Sequence, residues 1–537
     1  MRWVQRSLLM MAALLLVLVS CSRQPVQETP PPTQAPQGRI ILGTTARIRT
    51  LDPADAYEIF PGLILGNLGD RLYTYNVAGT EIQPQLATTL PDISSDGRTY
   101  TIPLRQGVVF HDGTPFNAEA MAFSLRRFVQ NAGQPSFLLA DKVQSIEATG
   151  EFELTIRLKQ PFAALTSLLT FSGTCAVSPK AYTIGPGQFK PDAFVGTGPY
   201  RLARYGPDSL QLEVFDRYWG EKPVNQGVNI QLFSSPANLF NAFRTAAVDV
   251  AYQNLEPEQV QSLQQGAAAG GWQVIEGQGS AVYYLALNLR QKPVDNDRVR
   301  QAIAAMVNRT LIRDRVFQGQ AEPLYSLIPR NFAVSQPVFQ EKYGDGNATL
   351  AKQLLTQAGF SPSQPLVLPL WYPANSAVRT LMASVLKATA EETLGGMMRL
   401  ELNGVDSATA NQNLDRGVYP AFLLSWYPDF YDPDTYLQPF LECSQGSEAK
   451  GCDRGGSQSQ GSFYYNPKAN QWVSQQRQTA NPQTRKEAIG ALQQLLVEDV
   501  PYVPLVQTKE YAFAQKGIQG VNISPTQKFS LSRIAKM

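Results

Sequence analysis

The sequence predicts an α/β protein built of two lobes. Its 537 residues exceed what a single hydrophobic core usually serves. Short apolar strands alternate with helical segments along much of the chain, which is typical of α/β lobes. Two stretches, 274–279 and 501–511, are interpreted as passages between the lobes. Two passages predict a two-strand hinge, and such a hinge permits closure around a ligand.

The first 20 residues are predicted to be a signal peptide that is not part of the fold. Arg2 and Arg6 form a positive region, and 8–19 is an apolar run that is too short to span a membrane comfortably. The run ends in LVSC at 18–21, which resembles a bacterial lipobox. This resemblance implies cleavage before Cys21 and lipid attachment to it. An ordinary signal peptide followed by a coincidental cysteine is the alternative.

Residues 21–38 are rich in proline and polar side chains, so we expect an extended, disordered spacer. No later stretch contains 18 unbroken apolar residues, so the only membrane association that we expect is the lipid anchor. The cysteines fit an oxidising compartment: Cys443 and Cys452 could close a small disulfide, and Cys175 is left as a free thiol.

Composition argues against several classes of function. The net charge of +2, without a basic block, does not favour nucleic-acid binding. His111 is the only histidine, so a multi-histidine metal site is excluded, and no phosphate-binding or dinucleotide fingerprint is present. We therefore expect no metal, no cofactor and no catalytic residues.

In the first lobe, residues 39–276, apolar runs and turn signals predict the elements in order. An extra subdomain is expected at about 80–190. The predicted strands lie at 39–45, 99–104, 200–203, 210–215 and 249–253. The predicted helices lie at 57–72, 117–131, 237–246 and 256–265. Asn117 is expected to cap its helix, and Gly206 to Ser209 form a hairpin turn.

In the second lobe, residues 277–503, the same reasoning predicts four strands and four helices. The strands lie at 282–289, 366–371, 398–402 and 421–426. The helices lie at 297–309, 349–358, 376–392 and 482–497. The polar stretch 444–461 is expected to be a mobile loop of low complexity. Residues 504–537 are expected to return to the first lobe.

The candidate functional centre is the segment 418–440. A buried strand is followed by Trp426 and then by Asp429, Phe430, Tyr431 and Asp432. Carboxylates and aromatic faces just beyond a buried strand suit a small ligand that is partly cationic and partly apolar. Two alternatives remain open at this point: the two aspartates may only cap turns, or they may serve as paired acids of a surface-tethered hydrolase.

Several blocks of the chain resemble one known family. The longest is LRQGVVFHDGTPFNAEAMAFSLRRF at 104–128. Shorter blocks follow the family's order between about 40 and 510, at 51–53, 84–87, 196–200, 218–220, 284–288, 299–303 and 499–505. Together they resemble the bacterial extracellular solute-binding proteins of family 5, the peptide and nickel class that serves ABC importers.

This resemblance implies the type II periplasmic-binding-protein fold of the large cluster, with an extra subdomain in the first lobe and a two-strand hinge. It implies a monomeric, non-enzymatic protein of the periplasm or outer cell surface that delivers short peptides to an ABC permease and its ATPase. An oligosaccharide, an opine or a metal chelate is the alternative ligand. A signal receptor would use the same fold.

The resemblance also suggests roles for site residues. The segment from Trp426 to Pro433 matches a Trp-x-x-Asp-x-x-Asp-Pro pattern in which the first aspartate, here Asp429, holds the α-ammonium of a peptide. Phe430 and Tyr431 replace the small polar residues usual in dipeptide binders, which indicates a bulkier, more apolar rim. Arg379 is the expected partner of the peptide carboxylate. The alternative is that it lies on the surface of its helix and has no role in binding.

Three further residues complete the expected site. Trp426 and Tyr57 could supply aromatic walls, and ordinary core packing is the alternative for both. Gly198 is expected near the cleft because the family motif at 196–200 lies near the cleft. The alternative is that this glycine is needed only for a turn.

Overall fold

A computed structural model describes residues 38–79, 81–526 and 529–537. The predicted signal peptide, Cys21 and nearly all of the predicted spacer lie outside these residues. Within the described ranges, no helix combines the length and the apolar character needed to cross a membrane.

One mixed sheet runs through the described part of the chain and contains eleven strands. They are β1 (Ile40–Thr44), β8 (Tyr200–Tyr205), β9 (Ser209–Val214), β10 (Val228–Leu232), β11 (Val250–Tyr252), β12 (Trp272–Leu287), β13 (Ala321–Pro323), β14 (Leu366–Pro373), β15 (Met398–Val405), β16 (Ala421–Trp426) and β19 (Tyr502–Gln515). The spatial order is β15-β14-β16-β12-β19-β11-β1-β10-β9-β8, and β13 pairs with β19. The first lobe is built on β1 and β8–β11, and the second on β13–β16.

The two longest strands connect the lobes. Strands β12 and β19 pair antiparallel from Trp272 opposite Gln515 to Ala286 opposite Tyr502. Strand β19 pairs with β11 at its far end, whereas the last six residues of β12 pair with β16. The register shifts between Gln278 and Val282, at the place where the pair passes from one lobe to the other. This irregularity lies next to the predicted first crossing, although β12 begins ten residues before the predicted strand.

Helices alternate with the strands along the chain. They are α1 (Ile59–Leu68), α2 (Ala118–Gln130), α3 (Phe137–Ala140), α4 (Leu165–Leu168), α5 (Pro236–Arg244), α6 (Pro257–Gly270), α7 (Asp297–Met306), α8 (Arg309–Arg315), α9 (Val338–Tyr343), α10 (Ala348–Gln357), α11 (Ala377–Thr393), α12 (Ser407–Asp415), α13 (Gln438–Leu441), α14 (Gly456–Ser459), α15 (Pro467–Gln478) and α16 (Pro482–Asp499). Asn117 caps α2 as predicted, because its side chain accepts a hydrogen bond from the amide of Ala120.

A smaller sheet stands apart from the main one, within the segment where the extra subdomain is expected. Its order is β4-β5-β7-β6, with bounds Asp92–Ile93, Thr99–Pro103, Glu153–Leu158 and Val143–Gly150. It packs with α2 around its own hydrophobic cluster. The remaining strands form three pairs: β2 (Tyr73–Tyr75) with β3 (Ile82–Pro84), β17 (Gln445–Ser447) with β18 (Gly451–Arg454), and β20 (Ile518–Gln519) with β21 (Ala535–Lys536).

The stretch 444–461 has regular structure, which differs from the irregular loop expected from its composition. It contains the β17–β18 hairpin and the short helix α14, and a disulfide joins Cys443 to Cys452. Ser457 is fully buried and its hydroxyl donates to the carbonyl of Tyr464. Composition missed these features because long-range packing, not local propensity, orders the segment.

A buried ion pair joins the start of the first lobe to α2. Both guanidinium Nη atoms of Arg127 donate to Asp52, at 2.8 Å to Oδ1 and 2.7 Å to Oδ2. The two side chains are 1% and 0% exposed. The Lys190 amide also donates to this carboxylate, so three chain segments meet at one charge pair.

We expect Asp52→Asn to lower the free energy of unfolding by about 3–5 kcal/mol, because it leaves the buried Arg127 charge without its counter-charge. Urea unfolding followed by circular dichroism measures the loss. The matched control is Glu119→Gln, which breaks the exposed pair that Glu119 forms with Arg126 on the same helix; it should cost less than about 1 kcal/mol. Equal losses for the two variants would contradict the prediction.

Candidate functional site

Strand β16 positions the candidate site at the boundary between the lobes. It is paired on both sides, with β12 and with β14. The strand ends at Trp426, and Pro428, which has no amide hydrogen, follows two residues later. The chain then turns away from the sheet, and Asp432 accepts a hydrogen bond from the Asp434 amide as the cap of a short 3-10 helix. Residues 427–431 therefore face the first lobe.

A cavity of about 550 Å³ lies between these residues and the first lobe. Its second-lobe wall includes Trp426, Asp429 and Tyr431, and its first-lobe wall includes Tyr57 and the glycine-bearing face of α1. The volume falls in the range typical of small-molecule sites. We call this space the first cavity.

Asp429 is the central charged group of this space. The Tyr57 hydroxyl donates to Asp429 Oδ1 at 2.5 Å, so the hydrogen bond links the two lobes. Burial raises the pKa of Asp429 to about 6, and the Tyr57 hydrogen bond and the positive charge of Lys142 act in the opposite direction. Among the described residues Asp429 has no ion-pair partner. A ligand cation could therefore form the ion pair that the carboxylate lacks.

Aromatic rings form the walls on either side of the carboxylate. Tyr431 stacks on Phe332 with ring centroids 4.3 Å apart. Phe430 is buried and meets Phe162 of the first lobe edge to face at 6.4 Å. The Trp426 indole nitrogen is buried and has no hydrogen-bond partner among the described residues, so it could donate to a ligand. Phe430, Tyr431 and Trp426 line the space with aromatic surface and with the polar tip of the Trp426 indole.

A second cavity, of about 770 Å³, adjoins the first on the other side of Asp429. The two share Tyr57, Trp426, Asp429 and Phe430 as lining residues. Lys142 lies here, with its ammonium 5.3 Å from the centre of the Phe162 ring. Burial, together with a nearby arginine, lowers the pKa of Lys142 to about 8.

The structure places the remaining candidate residues outside both cavities. Arg379 donates to the Ser425 hydroxyl at 2.5 Å and lies 5.7 Å from the Tyr283 ring, and it lines neither space. Gly198 serves a close backbone contact: its amide donates to Leu68 at 2.9 Å, and a Cβ atom there would lie 2.5 Å from the Leu68 carbonyl carbon.

Asp432, the second acid of the paired-acid alternative, is held in an ion pair. Both terminal nitrogens of Arg485 donate to its carboxylate, at 2.5 and 3.1 Å. Its backbone-capping role uses the same group. The two aspartates therefore differ: Asp432 is structural, and Asp429 faces the cavities. No cluster of three or more potential metal-ligating side chains occurs within the described ranges.

The comparison with protein families identifies the family of the chain. Residues 81–448 match the family described as "Bacterial extracellular solute-binding proteins, family 5 Middle". The chain belongs to this family. Proteins of family 5 are periplasmic or extracellular solute-binding proteins of ABC transporters and not enzymes, which confirms the predicted family and excludes the hydrolase alternative.

Known proteins support the family assignment along nearly the whole chain. The glutathione-binding protein GsiB of Escherichia coli strain K12 is 25% identical over 507 residues, covering 91% of this chain and 93% of GsiB. The structure of NikA from Brucella suis in complex with Fe(III)-EDTA matches with a TM-score of 0.81 at 20% identity, covering 93% of this chain and 100% of NikA.

A dipeptide binding protein from Pseudoalteromonas sp. SM9913, in complex with Met-Leu, matches with a TM-score of 0.75 at 21% identity, covering 93% and 100% of the two chains. The two-lobed periplasmic-binding-protein fold is therefore confirmed for this family 5 chain.

Several charged residues of the cavities were not predicted from the sequence, and two of them, Arg71 and Lys142, are cations close to the candidate site. Arg71 lines the first cavity and Lys142 lines the second. Each stands in an ordinary polar context along the chain, and each reaches the site only because the first lobe folds against residues more than 280 positions away. The one local signal was Asp70-Arg71, an adjacent charge pair at the end of a predicted helix.

The raised pKa of Asp429 predicts a pH-dependent effect on stability. Below about pH 4 the carboxyl is protonated in folded and unfolded chains. Between about pH 4 and 6 the unfolded chain ionises first, so the folded state loses stability as pH rises. Asp429→Asn cannot ionise, so its stability relative to the unmodified protein should increase over this range by at most about 3 kcal/mol.

Urea unfolding of both proteins from pH 4 to pH 8 measures the difference. Tyr57→Phe removes the hydrogen bond that lowers the pKa of Asp429, so in a Tyr57→Phe background the pH-dependent range should move upward. A stability difference that stays constant with pH would contradict the prediction.

Proposed function

We propose that this family 5 protein captures short peptides between its lobes and delivers them to the permease of an ABC importer. The observation that carries the proposal is the buried Asp429 carboxylate. It lies between aromatic walls in an interlobe cavity, and its direct side-chain partner is the neutral hydroxyl of Tyr57. The α-ammonium of a peptide would satisfy this carboxylate by a charge-assisted hydrogen bond.

The ligand of the relative GsiB supports the peptide class. Glutathione is a tripeptide with a free ammonium and free carboxylates, so it has the dipolar character that the first cavity suits. The aromatic walls add apolar surface for side chains without prescribing their identity. Oligosaccharides and opines lack this combination of a terminal ammonium with a peptide backbone, and metal chelates would have to bring their own ligands.

The capture mechanism that we propose is hinge closure at the irregular segment of β12 between Gln278 and Val282. The lobes already touch through Tyr57 and Asp429, and the Tyr75 hydroxyl donates to the Tyr431 carbonyl at 2.9 Å. A ligand that contacts both walls would stabilise this closed arrangement relative to an open one.

The proposal also includes the lobe boundaries, the oligomeric state and the location of the protein. The lobes would span 39–276 with 504–537, and 277–503. The protein would act as a monomer in the periplasm or on the outer cell surface, anchored by a lipid at Cys21. Mass spectrometry of the membrane-extracted protein would detect that lipid as added mass on the Cys21 peptide.

We expect Asp429→Asn to weaken binding of trialanine by about 10- to 100-fold, because the ammonium loses its charged partner. Isothermal titration calorimetry at pH 7.5 measures the affinity. Binding to the unmodified protein should also weaken below about pH 6, where the carboxyl becomes protonated. N-acetyl-trialanine, which lacks the ammonium, should bind both proteins equally.

The matched control is Asp208→Asn, on the exposed hairpin between β8 and β9, which should bind trialanine like the unmodified protein. Native mass spectrometry of the purified protein provides an independent test: bound short peptides support the proposal. A sugar, opine or metal chelate as the bound species, with no peptide binding in calorimetry, would contradict it.

A further inference from the structure

A buried arginine faces the same cavity as Asp429 and forms no ion pair among the described residues. Arg71 is 7% exposed and lines the first cavity. Its side chain donates one hydrogen bond, from Nη2 to Gln85 Oε1 at 3.3 Å, and its buried Nε has no partner among the described residues. A guanidinium in this state is costly unless something pairs with it.

The adjacent carboxylate of Asp70 does not fill this role. It forms no ion pair with Arg71. Burial lowers the pKa of Arg71, and the charge of Asp70 offsets only part of this effect. Neutral groups occupy the Asp70 oxygens instead: the side chains of Gln85, Thr197, Tyr218 and Trp219 all donate to them. The hydrogen bonds of the Asp70 carboxylate are therefore made to neutral side chains and not to Arg71.

The helix beside Arg71 leaves room for its head group. A Cβ atom at Gly66 of α1 would lie 3.1 Å from Arg71 Nη1, so a larger residue there would crowd the guanidinium. Gly62, one turn earlier, also lines the cavity. The absence of a side chain at Gly66 lets the guanidinium lie close to α1 at the edge of the cavity.

Arg71 is the one cationic residue among the described residues that line the first cavity. Two carboxylates share this lining, Asp429 and Glu58, and Glu58 is bound by Arg49 at 2.8 Å. The cavity thus presents one carboxylate and one guanidinium that form no ion pair within the described ranges, and both line a single space of about 550 Å³.

We propose that Arg71 is the anion subsite of this cavity and binds a carboxylate of a ligand whose ammonium is held by Asp429. The inference rests on the proposed peptide function and narrows its substrate class to zwitterionic ligands with a free carboxylate. It assigns to Arg71 the role that the sequence analysis expected of Arg379. A guanidinium suits this role because its fixed donors match the geometry of a carboxylate.

The first test changes the ligand and leaves the protein unmodified. Trialanine and trialaninamide carry the same ammonium, but only trialanine has a C-terminal carboxylate. Calorimetry at pH 7.5 should show that the unmodified protein binds trialanine about 10- to 100-fold more tightly than the amide.

The second test changes the arginine. Arg71→Met should remove this preference by weakening trialanine while leaving the amide unchanged, and the retained amide binding shows that the variant is folded. Arg71→Lys should keep part of the preference. The matched control is Arg105→Met: Arg105 also donates to Gln85, at its carbonyl oxygen, but lines neither cavity, so its removal should preserve the preference.

The outcomes separate the inference from the proposed function. If trialanine and the amide bind equally, or if the preference survives in Arg71→Met, the subsite assignment is overturned while peptide binding stands. If Arg379→Met abolishes the preference and Arg71→Met does not, the carboxylate belongs to Arg379. If no peptide binds the unmodified protein, the proposed function fails, and the zwitterionic class assigned here fails with it.

Discussion

The pairing of β12 with β19 is the constraint on which the rest of the structure depends. Because these strands run through both lobes, they hold the first-lobe sheet and the second-lobe sheet in one continuous hydrogen-bonded ladder. The ladder has its larger irregularity between Gln278 and Val282, where the lobes meet, and a second register shift between Tyr283 and Tyr284. Bending at such a point costs few backbone hydrogen bonds, so movement can be confined to it while each lobe keeps its core.

The boundary between the lobes also carries charged side chains that form no ion pair among the described residues. Inside each lobe, some buried carboxylates are held in ion pairs, as Asp52 is by Arg127 and Asp432 is by Arg485. At the boundary, Asp429 and Arg71 form no ion pair with any described residue, and both line one cavity. A binding site must leave such groups for its ligand, since a self-paired site would gain little from binding. The site is distinguished by an unpaired carboxylate and an unpaired guanidinium that line the same interlobe cavity.

Local patterns predicted much of the fold because its elements have local causes. Strand β16 was predicted with its observed bounds from an apolar run before a proline, and the Asn117 cap from its residue type and position. The β8–β9 hairpin followed from a Gly-Pro-Asp-Ser turn. The start of β12 was missed because 272–281 carries no strong apolar pattern; its pairing with β19 decides its conformation.

The site residues likewise fall into those that a local sequence pattern could predict and those that it could not. Asp429 and its aromatic neighbours lie on one short segment, so a sequence motif could indicate them together. The proposed partner of the ligand carboxylate, Arg71, belongs to no such sequence motif. Its place in the site depends on which part of the first lobe faces Asp429. Arg379 is close to β16 in the second lobe, but its guanidinium is directed to Ser425 and Tyr283. Arg71 reaches the cavity from the opposite lobe, so a ligand held by both charges would bridge the lobes, which is the condition for a ligand to favour closure.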